Sequence, residues 1–561
     1  MPLEALKSRN PKGQKAQNDN ITPPDEAPEY DFFKAKRDSE GNIKDVQILQ
    51  TGFLQLLRRL GFRRYDVGDS FEIVRIVDNV IERIPVHRLR EIVVRYFNSL
   101  PEDMEQCNRD MLIEKLHRSL GTLTTDEKLA LLVDLDHEDN PIQLVEDTKD
   151  AGYYFYRNGF VEVTADGARL YPYKKLPGYI WKDQILPRDF SPLKLSEFKK
   201  GIYYRFACNI AGNKPDANGN DSDLSRFVSF TSITGYNLHR YFNTKLRSTI
   251  FLDSRMTDDP DGRSGKSLHC KAMAMMMNAD SQRGRQAITI DGKRYDPQNR
   301  FNLDEVDITT RLVVFDDIKK GFNIEDFFNA IVDGLVRERK GDVNKVRILA
   351  KLIFTLNYTI QIRGGSAKDR VIEFEIADHY SSAYTPEMEF GQWFFRDWDA
   401  AEWNRYDNFM LWCVAEYLRG GLIKPDTINL EARKLRDETC QEFINFMEDL
   451  QIEHEKQYSK RDLYVKFADI DSDGKIRAKD FHWLKQRNFT TWLRLWATYR
   501  PEMAGYREYR SNGIDYIRYF YNTPVTPEFL VLDGAKGVNV VLFPEKSGKV
   551  GSAVAVEKLP F

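Results

Sequence analysis

The spacing of apolar positions along this 561-residue chain changes several times, and each change marks a different kind of element. Over 30–120, Phe53, Leu54, Leu57 and Leu60, then Leu89, Ile92, Val93 and Phe97, recur at helical spacing, which predicts a mainly helical N-terminal region. Between Tyr153 and Phe190 the pattern shortens to aromatic and β-branched pieces separated by Asn158-Gly159 and Asp166-Gly167, dipeptides that turn hairpins because they tolerate positive φ. After a polar stretch at 209–222, short apolar runs at 249–253 (TIFLD), 286–290 (QAITI), 311–315 (RLVVF), 351–355 (KLIFT) and 371–376 (VIEFEI) alternate with helical stretches. Strands separated by helices predict an α/β fold with a mostly parallel central sheet, whose ligand site lies at the carboxyl ends of its strands. Beyond 400 the pattern is helical again, until the hairpin-like YREYRSNGIDYIRYF around Asn512-Gly513. The expected organisation is a disordered leader (1–29), a helical plus small β region (30–208), a central α/β core (223–400), a helical and hairpin region (401–520) and a tail (521–561).

Composition narrows the class. With 83 Lys+Arg against 86 Asp+Glu the net charge is −3, so the chain does not coat nucleic acid through bulk charge, and any polyanion binding must come from local clusters. No run of about 18 apolar residues occurs, which predicts no membrane partner and a cytoplasmic location. The five cysteines never form a CxxC pair and the eight histidines do not cluster, which argues against a disulfide framework and a zinc site.

Candidate chemistry begins at PDGRSGKS (Pro260–Ser267), between the run TIFLD and a helical stretch, the strand–loop–helix context of a phosphate-binding loop. Here Gly262 and Gly265 let backbone N–H groups turn toward phosphate oxygens, Lys266 reaches the β- and γ-phosphates and Ser267 ligates Mg²⁺, with Arg263, Ser264 and Leu268 completing the nucleotide-binding set. Pro260 stands where the usual pattern has its first Gly. Downstream, LVVFDD ends in Asp316 and Asp317, and LIFTLN ends in Asn357. In such a site Asp316 would join Ser267 in holding Mg²⁺, Asp317 would orient and deprotonate the attacking water, and Asn357 would sense the γ-phosphate. Arg370, with Arg363 and Lys368 as competitors, precedes the run VIEFEI and would reach the γ-phosphate of a neighbouring subunit. Between Asp317 and Asn357, GLVRERKGDVNKVRILAK carries Arg337, Arg339, Lys340, Lys345, Arg347 and Lys351 against Glu338 and Asp342, and its Lys340-Gly341-Asp342 turn suggests a hairpin presenting Arg339 and Lys340 to DNA phosphates.

The order PDGRSGKS, LVVFDD, a basic stretch, LIFTLN and DRVIEFEI resembles the superfamily 3 helicases, AAA+ ATPases of viruses, phages and plasmids. The block YYFYRNGFVEV…YIWKDQILPRDF upstream resembles the phage and poxvirus-type primase-helicases. The likeness spans about residues 150–420. It implies an AAA+ P-loop core, ATP and Mg²⁺, a homo-oligomeric ring of hexameric type, single-stranded or forked DNA as partner, and replicative unwinding as the activity. A primase or polymerase on a separate chain is compatible with it. The helices after 434 followed by a basic hairpin resemble a winged-helix domain, with Arg507, Arg510 and Arg518 as phosphate contacts. The alternative is a P-loop ATPase that loads or remodels a replication or packaging complex without unwinding. Two weaker patterns, the calcium-loop-like DIDSDGKIRAKD (Asp469–Asp480) and the acidic LVDLDHED (Leu132–Asp139), lack the terminal Glu and the third carboxylate their chemistries need.

Overall fold

The computed structural model describes residues 31–522 except 68–69, 105–106, 136–141, 213–223, 243–245, 256–261, 279–285, 297–302, 338–345, 361, 363–364 and 471–480. The leader, the tail from 523 onward, Pro260, Arg363 and the calcium-loop-like residues from Asp471 onward lie outside the described residues, while Tyr521 belongs to the last strand. The chain divides into two compact units, Met1–Lys434 and Leu435–Phe561.

The first unit opens on a mixed module. Helices Gln50–Arg59, Val86–Asn98 and Arg109–Leu123 carry the predicted helical spacing, and Phe53, Leu57, Leu89, Val93 and Phe97 are buried in one core. The region is nevertheless not mainly helical. Strands Phe33–Arg37 and Ile43–Ile48 pair, and Phe62–Val67, Ser70–Val77 and Val80–Arg83 form a meander. Charged residues at both parities, among them Lys44, Asp45, Arg63, Arg64, Glu72 and Arg75, sit exposed or half-buried in these strands and dilute the period-two signal, so the helices dominate the sequence pattern. Strands Gly152–Tyr156, Gly159–Thr164 and Gly167–Tyr171 follow as an antiparallel meander turning at the two predicted Asn-Gly and Asp-Gly sites.

The centre of the unit is a five-stranded, all-parallel sheet of a mixed α/β fold. Helices α1 (Ile202–Ala211) and α2 (Ser225–Leu238) precede β1 (Ser248–Asp253). Then come α3 (Lys266–Met277), β2 (Ala287–Asp291), β3 (Leu312–Asp316), β4 (Lys351–Leu356), β5 (Val371–Ile376) and α4 (Ala400–Gly420). The strand order is β2-β3-β4-β1-β5. Strands buried on both faces read as continuous apolar runs, and alternate residues divide between two cores. Phe251, Val314 and Ile353 pack with α1–α4, whereas Ile250, Leu252, Phe315 and Phe354 pack with Phe327, Ile331 and Leu335. The aromatic-dense segment before and within α4 is core: Phe394, Trp398, Tyr406 and Phe409 are buried, while Trp393 is exposed. Helix α4, assigned from sequence to the C-terminal region, therefore belongs to the first unit, where it crosses α2.

The second unit packs α5 (Gln441–Asp449), β6 (Gln457–Ser459), α6 (Lys460–Ala468), α7 (Gln486–Thr498), β7 (Met503–Ser511) and β8 (Ile514–Tyr521) around Phe443, Phe489, Trp492, Trp496 and Ile517. Its sheet order is β6-β8-β7, antiparallel throughout, and the β7–β8 turn falls at Asn512-Gly513 as predicted.

Candidate functional site

The strand order brings three motif-bearing loops together, because β3, β4 and β1 are neighbours and all end on one side. At that rim lie Asp253, ending β1, Asp316 and Asp317, ending β3, and Asn357, just past β4. The loop entering α3 is left-handed at Gly262 (φ 65°), Arg263 (φ 58°) and Gly265 (φ 104°), the kind of backbone that curls successive N–H groups around an anion. Gly265 is required twice over. A Cβ there would lie 3.0 Å from Ile210 Cγ2 and 3.1 Å from the Phe206 ring, besides demanding a conformation that side chains disfavour.

Lys266 begins α3 with its side chain buried. Its ammonium lies 2.6 Å from Asp253 Oδ2 and donates to Asn357 Oδ1 at 2.9 Å and to Ser264 Oγ at 3.2 Å. Burial pulls its pKa below the usual lysine value, opposed by the charge of Asp253. Ser267 Oγ donates to Asp316 Oδ1 at 2.8 Å, and the same oxygen accepts from Thr355 Oγ1 at 2.6 Å. Thr355 Oγ1 in turn accepts the Asp317 N–H at 2.7 Å, so one hydroxyl positions both acids. Asp317 has φ 57°, which Asp tolerates better than most side chains. Its carboxylate accepts from Asn357 Nδ2 at 3.2 Å and pairs with Lys293 Nζ at 2.5 Å. Asn357 therefore bridges Lys266 and Asp317 through the two ends of one carboxamide. Behind the rim, buried Arg433 donates to the carbonyls of Asp253 and, at 3.2 Å, Asn357.

A cleft of about 490 Å³ is lined by Gly262–Leu268, Asp316, Asp317, Thr355 and Asn357, with Thr385–Glu387 on the remaining wall. All seven residues of the predicted nucleotide-binding set line it, as do Asp316, Asp317 and Asn357. Asp253, Thr355 and Lys293 escaped the sequence reading. Asp253 and Thr355 are polar ends of strand-like runs, a usable signal once the strands are known to be neighbours, whereas Lys293 belongs to no pattern.

Arg370 is elsewhere. It ends the short helix Gly365–Arg370 and precedes β5, and the register from Ser248↔Val371 to Asp253↔Ile376 puts it at the amino end of the sheet. The length of β1, about 16 Å, separates that end from the Lys266 rim. Its guanidinium carbon lies 5.2 Å from the Phe328 ring centre.

Of the candidate DNA contacts, Arg339, Lys340 and Lys345 lie outside the described residues. Leu335–Arg337 and Val346–Ile348 do pair antiparallel, as a hairpin requires. Arg337 must be withdrawn as a surface contact: strand alternation turns it inward with Leu335, it is 8% exposed, and it donates to Val306 O at 2.9 Å. Lys351, counted in the same basic stretch, is likewise buried. Asp134, from the acidic pattern, sits 3.7 Å from Arg64 Nη2. Among the described residues no cluster of three metal-ligating side chains occurs, no cysteine is bonded to another, and no helix is long and apolar enough to cross a membrane.

No family model and no curated protein matches the chain. Among solved structures it is similar to the apo C-terminal region of NrS-1. The A form matches with a TM-score of 0.34 at 11% identity, covering 84% of this chain and 98% of that one. A second A-form structure of that region gives 0.33 at 12% identity, covering 83% and 98%.

Proposed function

We propose that this protein is an ATP-driven DNA helicase of the superfamily 3, AAA+ type, acting as a ring on single-stranded or forked DNA. The observation that carries the proposal is the convergence of Lys266, Ser267, Asp316, Asp317 and Asn357 on one cleft at the carboxyl ends of three adjacent parallel strands. The residues suit a nucleoside triphosphate with Mg²⁺. The cleft is roomy, its floor is a left-handed glycine loop, and it contains a buried ammonium. Ser267 Oγ and the Asp316 carboxylate are adjacent hard oxygen donors, the kind Mg²⁺ takes, and they would hold it. When bound, the ion supplies positive charge to the phosphate oxygens.

The chain's own groups then divide the work. The N–H groups from Gly262 to Ser267 and the Lys266 ammonium bind and orient the triphosphate. Asp317 takes the proton of the attacking water at its carboxylate, positioned by Thr355 and Asn357. Because Asn357 touches both Lys266 and Asp317, a phosphate drawing on Lys266 is felt at the base. Arg370, distant from its own chain's cleft, is assigned to the cleft of the next copy, where its charge would stabilise the transferring phosphoryl group. Arg339 and Lys340 are assigned to DNA phosphates.

The test is ATP hydrolysis and displacement of a forked strand, measured for the parent and for Lys266→Ala. Both activities should fall by about a hundredfold or more, the scale of losing a preorganised charge at a reacting centre. Full hydrolysis by the variant would sink the site assignment, whereas hydrolysis without displacement by the parent would favour the remodelling ATPase.

A further inference from the structure

The β7–β8 hairpin of the second unit sorts its side chains by face. Toward the core point Ile517 and Tyr519, both buried, and Glu508, which is held by Arg494 and Lys460 at 3.0 Å each. On the opposite face the register sets Arg507 directly across from Arg518 and Tyr509 directly across from Tyr516. The two tyrosine rings are stacked, with centres 5.6 Å apart and planes 19° from parallel. The Arg518 guanidinium lies 5.5 Å from the Tyr509 ring centre, and that of Arg507 lies 6.0 Å from Phe520.

Like charges directly opposite on a sheet destabilise it. Among the described residues neither arginine has a carboxylate within ion-pairing distance, and Arg518 Nε is buried with no hydrogen-bond partner. Of the hairpin's acids, Glu508 points to the other face, where Arg494 and Lys460 hold it, and Asp515 is at the tip and faces Arg510. The sheet thus presents two uncompensated guanidinium groups among aromatic rings, at a cost to its own stability.

We propose that this face is a stacking platform for single-stranded DNA. Phosphates would supply the missing negative charge to Arg507 and Arg518, and exposed bases would lie on the rings of Tyr509, Tyr516 and Phe520. From Tyr516 to Phe520 the strand covers about 14 Å, room for two or three bases. A duplex hides the base faces that the rings would contact, so the chemistry selects a single strand. The choice of DNA over RNA rests on the function proposed above; the polynucleotide chemistry does not. The platform belongs to the second unit and uses the flat of the hairpin rather than its tip.

The test uses the full-length protein without nucleotide and a labelled oligothymidylate, with the thymine bases of a second sample replaced by 5-iodouracil for photo-crosslinking. Crosslinks should map to Tyr509, Tyr516 or Phe520. Arg507→Glu should weaken binding by about tenfold and lower the dependence of log affinity on log salt by about one. The same substitution should leave the melting temperature unchanged or raise it, because the introduced carboxylate would pair with Arg518; a merely structural arginine would lower it. Arg507→Lys should retain most of the affinity. Crosslinks found only outside the hairpin, affinity of Arg507→Glu within twofold of the parent, or tighter binding of the matching oligouridylate would each overturn the proposal. If ATP-driven strand displacement persists alongside such a failure, the platform is lost and the helicase function stands.

Discussion

The Thr355 hydroxyl is the smallest part of the cleft with the widest reach, since it donates to Asp316 and accepts the Asp317 N–H. Thr355→Val keeps shape and removes both bonds, stranding a backbone donor at a cost of about 1–3 kcal/mol. Turnover of ATP should fall by about tenfold or more with little change in KM; an unchanged kcat would mean that Asp316 and Asp317 hold their positions without it. Lys351 presents a different single-residue problem. It is 3% exposed and donates to the carbonyls of Tyr236 and His239 beneath the Tyr236 ring. Burial brings its pKa down from 10.5 to about 7. Between those values the unfolded chain holds a proton that the folded chain lacks, so stability rises with pH across that window, on the order of 1.4 kcal/mol per unit, and is flat with respect to this group below it. Denaturant titrations from pH 7 to 10 should show the rise in the parent and lose it in Lys351→Met.

At the scale of elements, the contact that sets the helical layer is the crossing of α2 and α4. A Cβ on Gly235 would lie 2.0 Å from the Cys413 carbonyl and 2.9 Å from Tyr417 Cβ, so the helices meet backbone to side at that residue. Backbone cannot swing aside as a side chain can. Gly235→Ala should destabilise the first unit by about 3 kcal/mol through overpacking, seen as a lower denaturant midpoint at unchanged slope. A neutral result would show that α4 can slide along α2. Strand β5 shows how elements accept polar residues. Glu375 is buried and Glu373 half-buried, yet Glu373 pairs with Lys434, and Glu375 accepts the N–H groups of Ile428 and Asn429. The segment after α4 therefore completes this edge of the sheet.

Across the whole first unit, distant segments are joined by buried ion pairs rather than by apolar packing alone. Arg188 grips Asp407 of α4 with two bonds of 2.7 Å and stacks 4.5 Å from the Trp403 ring centre. Asp147 similarly receives the Arg240 guanidinium at 2.8 Å and its N–H at 2.7 Å. Asp407→Ala should cost about 3–5 kcal/mol, because it leaves the Arg188 charge buried and unpaired. Replacing both Arg188 and Asp407 by apolar residues of similar size should restore much of the loss. Equal losses in the single and double variants, measured by the same denaturant titration, would assign the effect to packing instead.

By itself the sequence determined what depends on near neighbours: the five strands of the sheet, the hairpin turns at Asn158-Gly159, Asp166-Gly167 and Asn512-Gly513, and the candidate residues Lys266, Ser267, Asp316, Asp317 and Asn357. Continuous apolar runs and positive-φ turns are local properties, so they can be read from a short window. The N-terminal strands were hidden even so, because half-exposed polar strands carry a weak period beside strongly amphipathic helices. Only the tertiary structure decided that β4 lies between β1 and β3, which brings Thr355 to the cleft beside Asp316 and sets Asp253 and Asn357 around Lys266, and that β2 flanks β3, which brings Lys293 to Asp317. It also decided that Arg337 and Lys351 point inward and that Arg507 faces Arg518. Strand order, facing and burial follow from which remote segments pair, and that free energy is spread over contacts no local pattern contains.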